Sequence, residues 1–174
     1  MTAQTTIDRP LNIDAIRAEF PIFNRLVNDK PLVYLDSAAS AQKPEFVIES
    51  VAGVYRSYYA NVHRGLHTLA NESTEAFEAA RDDVRRFINA ERPEQIVFTR
   101  CTTEAINLLA NSFGQGLKAG DEIIISQLEH HSNIVPWRLL ADRIGVELKW
   151  ARALDDGSLD YEHLETLIGP KTRL

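Results

Sequence analysis

The sequence predicts an α/β fold, a mostly parallel sheet flanked by helices. Two observations carry this. From residue 95 onward, short apolar runs rich in β-formers (QIVFT, EIIIS, VELKWAR) alternate with amphipathic runs of helical period. Each connection between runs is long enough for the right-handed crossover that parallel strands require.

The elements follow in order. Residues 1–11 are polar and read as a flexible tail. Asn12 can cap a short helix over IDAIRAEF, which Pro21 stops. LVYLD, residues 32–36, reads as a strand, and SAASAQKP as a small-residue loop. A helix from Pro44 to about Tyr59 carries Phe46, Val47, Val51, Val54 and Tyr58 at helical spacing. After the polar connector ANVHRGLHTLANES, Ser73 or Thr74 can cap a second helix with Phe77, Ala80, Val84, Phe87 and Ile88 on one stripe. QIVFT is a strand and RCTTE a helix start, with Thr102 or Thr103 as cap. EIIIS is a buried-type strand, and Pro136 falls in the first turn of the next helix, where proline is tolerated. VELKWAR is another strand, DDGS a turn, and Asp160 a cap for YEHLETLIG.

Bulk properties narrow the function classes. The 174 residues are 25% charged and 44% hydrophobic, as in an ordinary globular domain. A net charge of -6 argues against a nucleic-acid binder. A single cysteine, Cys101, excludes an intrachain disulfide and fits a reducing compartment. The start MTAQTTIDRP has no apolar signal core, and no run approaches the ~18 apolar residues of a membrane helix. The expected location is cytoplasmic.

Two motifs are expected at the carboxyl ends of strands, where open α/β sheets place their ligands. RCTTE offers helix-start amides and threonine hydroxyls to an anion, although many Ser/Thr caps open helices and bind nothing. SQLEHHSN places His130 and His131 after EIIIS. Adjacent loop residues diverge, so one imidazole can face a cleft while the other faces protein or solvent. In HRGLH, His63 and His67 have zinc-like spacing, but the intervening glycine and the missing HExxH glutamate weaken a metal reading. No metal is expected. Arg64 can fork onto a carboxylate or stand solvated. Cys101 is either a thiol activated at a helix start or a small buried side chain.

LDSAASAQKP, NVHRGLHTLANESTE, RCTTEAINLLANSF and IIISQLEHHSNIVPW, in this order, resemble the Suf-type cysteine desulfurases. These are related to selenocysteine lyases and belong to the class V aminotransferase branch of fold-type I pyridoxal-phosphate (PLP) enzymes. The resemblance runs from about Asp14 to Leu174. It implies a PLP-containing homodimer that converts L-cysteine to L-alanine, with L-selenocysteine as the alternative substrate. The sulfur leaves as a protein-bound persulfide, for a sulfur-acceptor protein of the Suf type and iron–sulfur cluster assembly. It further implies that Thr103, with the turn amides of Thr102 and Cys101, holds the cofactor phosphate. His130 stacks on the pyridine ring and assists proton transfer. Ser37, Ala38 and Ala39 line the substrate site, and His63 and Arg64 lie near an active site, that of the partner subunit included.

In such enzymes the Schiff-base lysine, the aspartate at the pyridine nitrogen, the persulfide cysteine and the carboxylate-binding arginine are expected later in the chain. Lys118, Lys149 and Lys171 occupy no matching motif, and Cys101 stands where relatives commonly carry glycine. GPKTRL also ends where a strand should begin. The expectation is therefore an inactive N-terminal fragment: tail 1–11, helical segment and active-site loops 12–70, and the first part of an incomplete PLP-binding large domain 71–174. The alternatives are a non-catalytic remnant serving dimerisation or interaction, and another class V enzyme, kynureninase-like or epimerase-like.

Overall fold

A computed structural model describes residues 11–174. The expected tail therefore lies, except for Leu11, outside the described residues. The chain is α/β and divides into two compact units, Met1–Ile96 and Val97–Leu174.

In the first unit, α1 (Ile13–Ala18) begins as expected, with the Asn12 side chain accepting from the Ala15 amide. A hairpin that was not anticipated follows. β1 (Leu26–Val27) and β2 (Lys30–Pro31) pair antiparallel around Asn28 and Asp29, both at positive φ (52° and 58°). Two left-handed residues are what a tight hairpin turn demands, and Asn and Asp tolerate them best. LVYLD is not a strand. Val33 and Leu35 are 76% and 92% exposed, and no backbone among the described residues pairs with them in a ladder. Strand propensity alone does not make a strand without a ladder partner.

α2 (Glu45–Ser57) follows Pro44. α3 (Thr68–Phe87) starts five residues before the expected cap. His67 caps it, its Nδ1 accepting from the Ala70 amide at 3.3 Å. Ser73 instead donates to the Tyr58 carbonyl, and Thr74 to that of Ala70. The apolar stripe is covered unevenly: Phe77 is half-buried, while Phe87 is 91% exposed and Ile88 59%.

QIVFT is likewise not a strand: Gln95 ends a 3-10 turn and Val97 is 65% exposed. In the second unit, α4 (Thr102–Ser112) begins one residue earlier than a threonine cap would set it. Cys101 is the cap residue, without a side-chain bond, and Thr102 and Thr103 are the first helical residues. β3 (Glu122–Ser126), α5 (Val135–Ile144), β4 (Glu147–Ala151) and α6 (Tyr161–Leu167) then form a βαβα run, with β3 and β4 parallel from Glu122↔Glu147 to Ser126↔Ala151. Pro136 sits in the first turn of α5, and Gly145 ends that helix at φ 78°. The left-handed cap favours glycine, which has no Cβ to clash. Asp160 caps α6 through the His163 amide at 2.8 Å. The other edge of β3 meets the chain end. The Glu122 amide donates to Lys171, and the Arg173 amide to Glu122, both at 2.9 Å.

The core of this unit is Ala110, Ile123, Ile125, Trp137, Leu140 and Val146. Each large apolar side chain buried there contributes about 1.5–3 kcal/mol. Packing β3 against α4 and α5 fixes where the loop after β3 emerges. No helix among the described residues is long and apolar enough to cross a membrane.

Candidate functional site

The loop after β3 and the start of α4 share a cavity of about 320 Å³. Thr103, Asn107, His130, His131, Ser132, Val135 and Pro136 line it. The size falls within the range of small-ligand sites.

Thr103 is second in α4. The amides of Thr102, Thr103 and Glu104 belong to the first turn, which has no intrahelical acceptors. Asn107 lies one turn on, and its side-chain amide donates to the Thr103 carbonyl at 2.8 Å. Glu104 adds a negative charge to this turn. Its carboxylate accepts the Arg100 amide at 2.7 Å and meets the Arg100 guanidinium at 3.2 Å. These bonds, the backbone one first, hold its pKa below the usual range. Cys101 is exposed and extended, φ -166° and ψ 169°. Any residue adopts that backbone, so this position does not require glycine.

His130 precedes a single 3-10 turn, His131–Asn133. Its Nδ1 accepts the Ser132 amide at 3.1 Å, with Ser132 Oγ at 2.9 Å. A backbone N–H only donates, so Nδ1 presents its lone pair and the neutral ring carries its proton on Nε2. The two histidines do not diverge as an extended loop would make them. The turn curls the backbone, both residues line the cavity, and their ring centroids lie 6.2 Å apart at 84°. The divergence falls one residue earlier, because Glu129 lines a different cavity with Ser126, Asn133 and Trp137.

The remaining expected site residues lie in the first unit. Ser37–Ala39 form an exposed turn in which the Ala39 and Ser40 amides donate to the Asp36 carbonyl. The Tyr34 hydroxyl braces it, 2.6 Å from the Ser40 carbonyl. His63 has φ 68°. Its amide donates to Thr74 Oγ1 at 2.9 Å, and its Nε2 lies 2.7 Å from Glu78 Oε1. His67 is spent on the α3 cap, so the two rings of HRGLH serve different structural bonds. Arg64 is exposed and makes no ion pair among the described residues. No cluster of three His, Cys, Asp or Glu suited to a metal occurs among the described residues.

Sequence reasoning missed Asn107, although its spacing of four from Thr103 puts both on one helical face. It also missed Glu78, whose contact with His63 spans fifteen residues.

The chain is similar to known proteins over most of its length. The class-V aminotransferase family model matches residues 33–174. A cysteine desulfurase of Escherichia coli O139:H28 is 55% identical over 164 residues, covering 94% of this chain and 40% of the relative. One from Pectobacterium carotovorum is 54% identical, covering 93% and 40%. The apo cysteine desulfurase of Thermococcus onnurineus superposes with a TM-score of 0.78 at 36% identity, over 88% of this chain and 37% of that one. The cysteine desulfurase CsdA of Escherichia coli gives 0.74 at 38%, over 95% and 40%. The chain belongs to the class-V aminotransferase family. The relatives named are cysteine desulfurases, and the chain spans about 40% of the length of the curated ones it matches.

Proposed function

We propose that the chain is part of a PLP-dependent cysteine desulfurase acting on L-cysteine, with L-selenocysteine as the alternative substrate. The supporting observation is the cavity that joins Thr103, at the start of α4, to His130, after β3. An anion-holding turn and a flat ring on one cavity suit a phosphorylated heteroaromatic cofactor. When bound, PLP draws electrons from the amino-acid substrate, so that protons can move at its carbons and its C–S bond can open.

The residues then have distinct tasks. Thr103, with the turn amides of Thr102 and Cys101, would hold the phosphate. His130 would lie against the pyridine ring, with its Nε2–H free to serve a proton acceptor while Nδ1 is held by the Ser132 amide. By the family resemblance, Ser37, Ala38 and Ala39 would serve substrate binding, and His63 and Arg64 an active site of the homodimer, Arg64 as a carboxylate fork. In the complete protein, sulfur passes from cysteine to an enzyme thiol. The substrate C–S bond breaks, an S–S bond forms, and the carbon takes a proton to give alanine. A Suf-type acceptor then receives the sulfur in the cytoplasm for iron–sulfur cluster assembly. The division into 1–11, 12–70 and 71–174 belongs to this reading.

No lysine lines the cavity. Lys149 lies 3.6 Å from Glu122 and 3.7 Å from Glu147. The chain alone should therefore release no sulfide from L-cysteine with added PLP. PLP titrated into the isotope-labelled chain should shift Thr102, Thr103 and His130 resonances selectively, with inorganic phosphate moving only the first two. Absence of these shifts, or shifts confined elsewhere, overturns the cofactor assignment. Sustained sulfide release overturns the inactivity of this chain.

A further inference from the structure

A polar chain runs behind the His130 loop. The Trp137 indole N–H donates to Asn133 Oδ1 at 2.8 Å. Asn133 Nδ2 donates to Glu129 Oε2 at 2.8 Å, and Ser126 Oγ to Glu129 Oε1 at 3.0 Å. The Leu128 amide in turn donates to Ser126 Oγ at 3.2 Å. Trp137 is 2% exposed and belongs to the core, and Ser126 ends β3. The Glu129 carboxylate thus ties the strand end to the core tryptophan of α5, across the segment that carries His130.

The direction of this chain is forced. An indole N–H only donates, so Asn133 must present its oxygen to Trp137 and its NH₂ to residue 129. Residue 129 must accept there, which a carboxylate does and an apolar side chain does not. Glu129 lines the cavity behind the loop while His130 lines the one in front.

We propose that Glu129 is a positioning residue for His130: its carboxylate, oriented by Asn133 and Trp137, sets the loop register that lets the Ser132 amide hold His130 Nδ1. This rests on the reading of His130 as the residue against the cofactor ring. Glu129 itself need not touch the cofactor.

The test reverses the polarity. In Asn133→Asp, a carboxylate faces the Glu129 carboxylate. Adding Glu129→Gln restores a donor toward position 133 and an acceptor toward Ser126. The 174-residue chain is studied without cofactor, by hydrogen exchange at the Ser132 amide and by the ring ¹⁵N shifts of His130. Asn133→Asp should lower Ser132 protection about tenfold, the order expected for one lost charge-assisted hydrogen bond, and move the Nδ1 shift away from its accepting value. The double variant should return both to near the parent values. If Asn133→Asp does not fold and the double variant does, the polarity chain is equally supported. A single variant without effect on Ser132 and His130, or a double variant no better than the single, overturns the proposal. The readouts need no PLP, so a failure of PLP to bind would remove the cofactor reading and leave this result standing.

Discussion

His63 Nε2 lies 2.7 Å from Glu78 Oε1, while the His63 backbone sits in the left-handed region at φ 68°. For a residue with a Cβ that conformation is costly. Three anchors oppose the cost: the Glu78 carboxylate, the Thr74 hydroxyl and the Phe77 ring, which His63 meets edge-on at 5.6 Å. The ring bond to Glu78 and the adjacent Arg81 hold the Glu78 pKa below its ordinary value of 4.5. A depressed carboxylate pKa stabilises the fold above the unfolded value and loses that contribution as pH falls through the lower folded value. Glu78→Gln should therefore lower the melting temperature at neutral pH, and the difference should close as the solution is acidified below about pH 4.5. Both side chains are about half exposed, so salt should also narrow the gap. A difference independent of pH would assign the loss to packing.

His130 and His131 both line the cavity, but only His130 has Nδ1 tied to the Ser132 amide. His130→Ala should weaken PLP binding at least about tenfold, as expected for a lost stacking partner, and His131→Ala should weaken it less. Equilibrium dialysis of the two variants against PLP measures this. Equal effects would remove the distinction between the two histidines.

Leu140 is 2% exposed, and its methyl groups occupy the space where a Cβ on Gly114 would lie, 2.8 and 2.9 Å away. Gly114→Ala should cost about 1–3 kcal/mol by overpacking. Leu140→Ala should cost about 2–5 kcal/mol by opening a cavity. The added methyl partly fills that cavity, so the double variant should cost clearly less than the sum. Additive urea-melt values would show that the two positions do not share space.

Phe87, Leu66, Leu35 and Val33 are between 76% and 101% exposed. Apolar surface of this kind drives association. The chain should show concentration-dependent association in light scattering and bind apolar dyes. A monodisperse monomer that binds no dye would contradict this.

Much of the fold was legible because periodicity and capping are local. α2, β3, β4 and α5 fall where apolar spacing puts them, and Asn12 and Asp160 cap as their side chains dictate. LVYLD and QIVFT did not become strands, although their composition favours β structure. A strand exists through a ladder of hydrogen bonds to a neighbour. Among the described residues LVYLD has a single such bond, from the Leu32 amide to the Arg25 carbonyl, and neither segment belongs to a paired strand.

The candidate site shows the same division. Thr103 and His130 could be named from helix-start chemistry and from position after a strand, and the family resemblance gave them tasks. The amino-acid sequence by itself thus determined the local elements and the residue types available for chemistry. Only the tertiary structure decided that Thr103 and His130 share a cavity, that His131 joins them, and that Glu129 turns to the opposite side. It also decided that His67 caps a helix while His63 pairs with Glu78. These outcomes depend on backbone curvature and on bringing together residues up to 27 apart in the chain, as Thr103 and His130 are around one cavity, which no local pattern encodes.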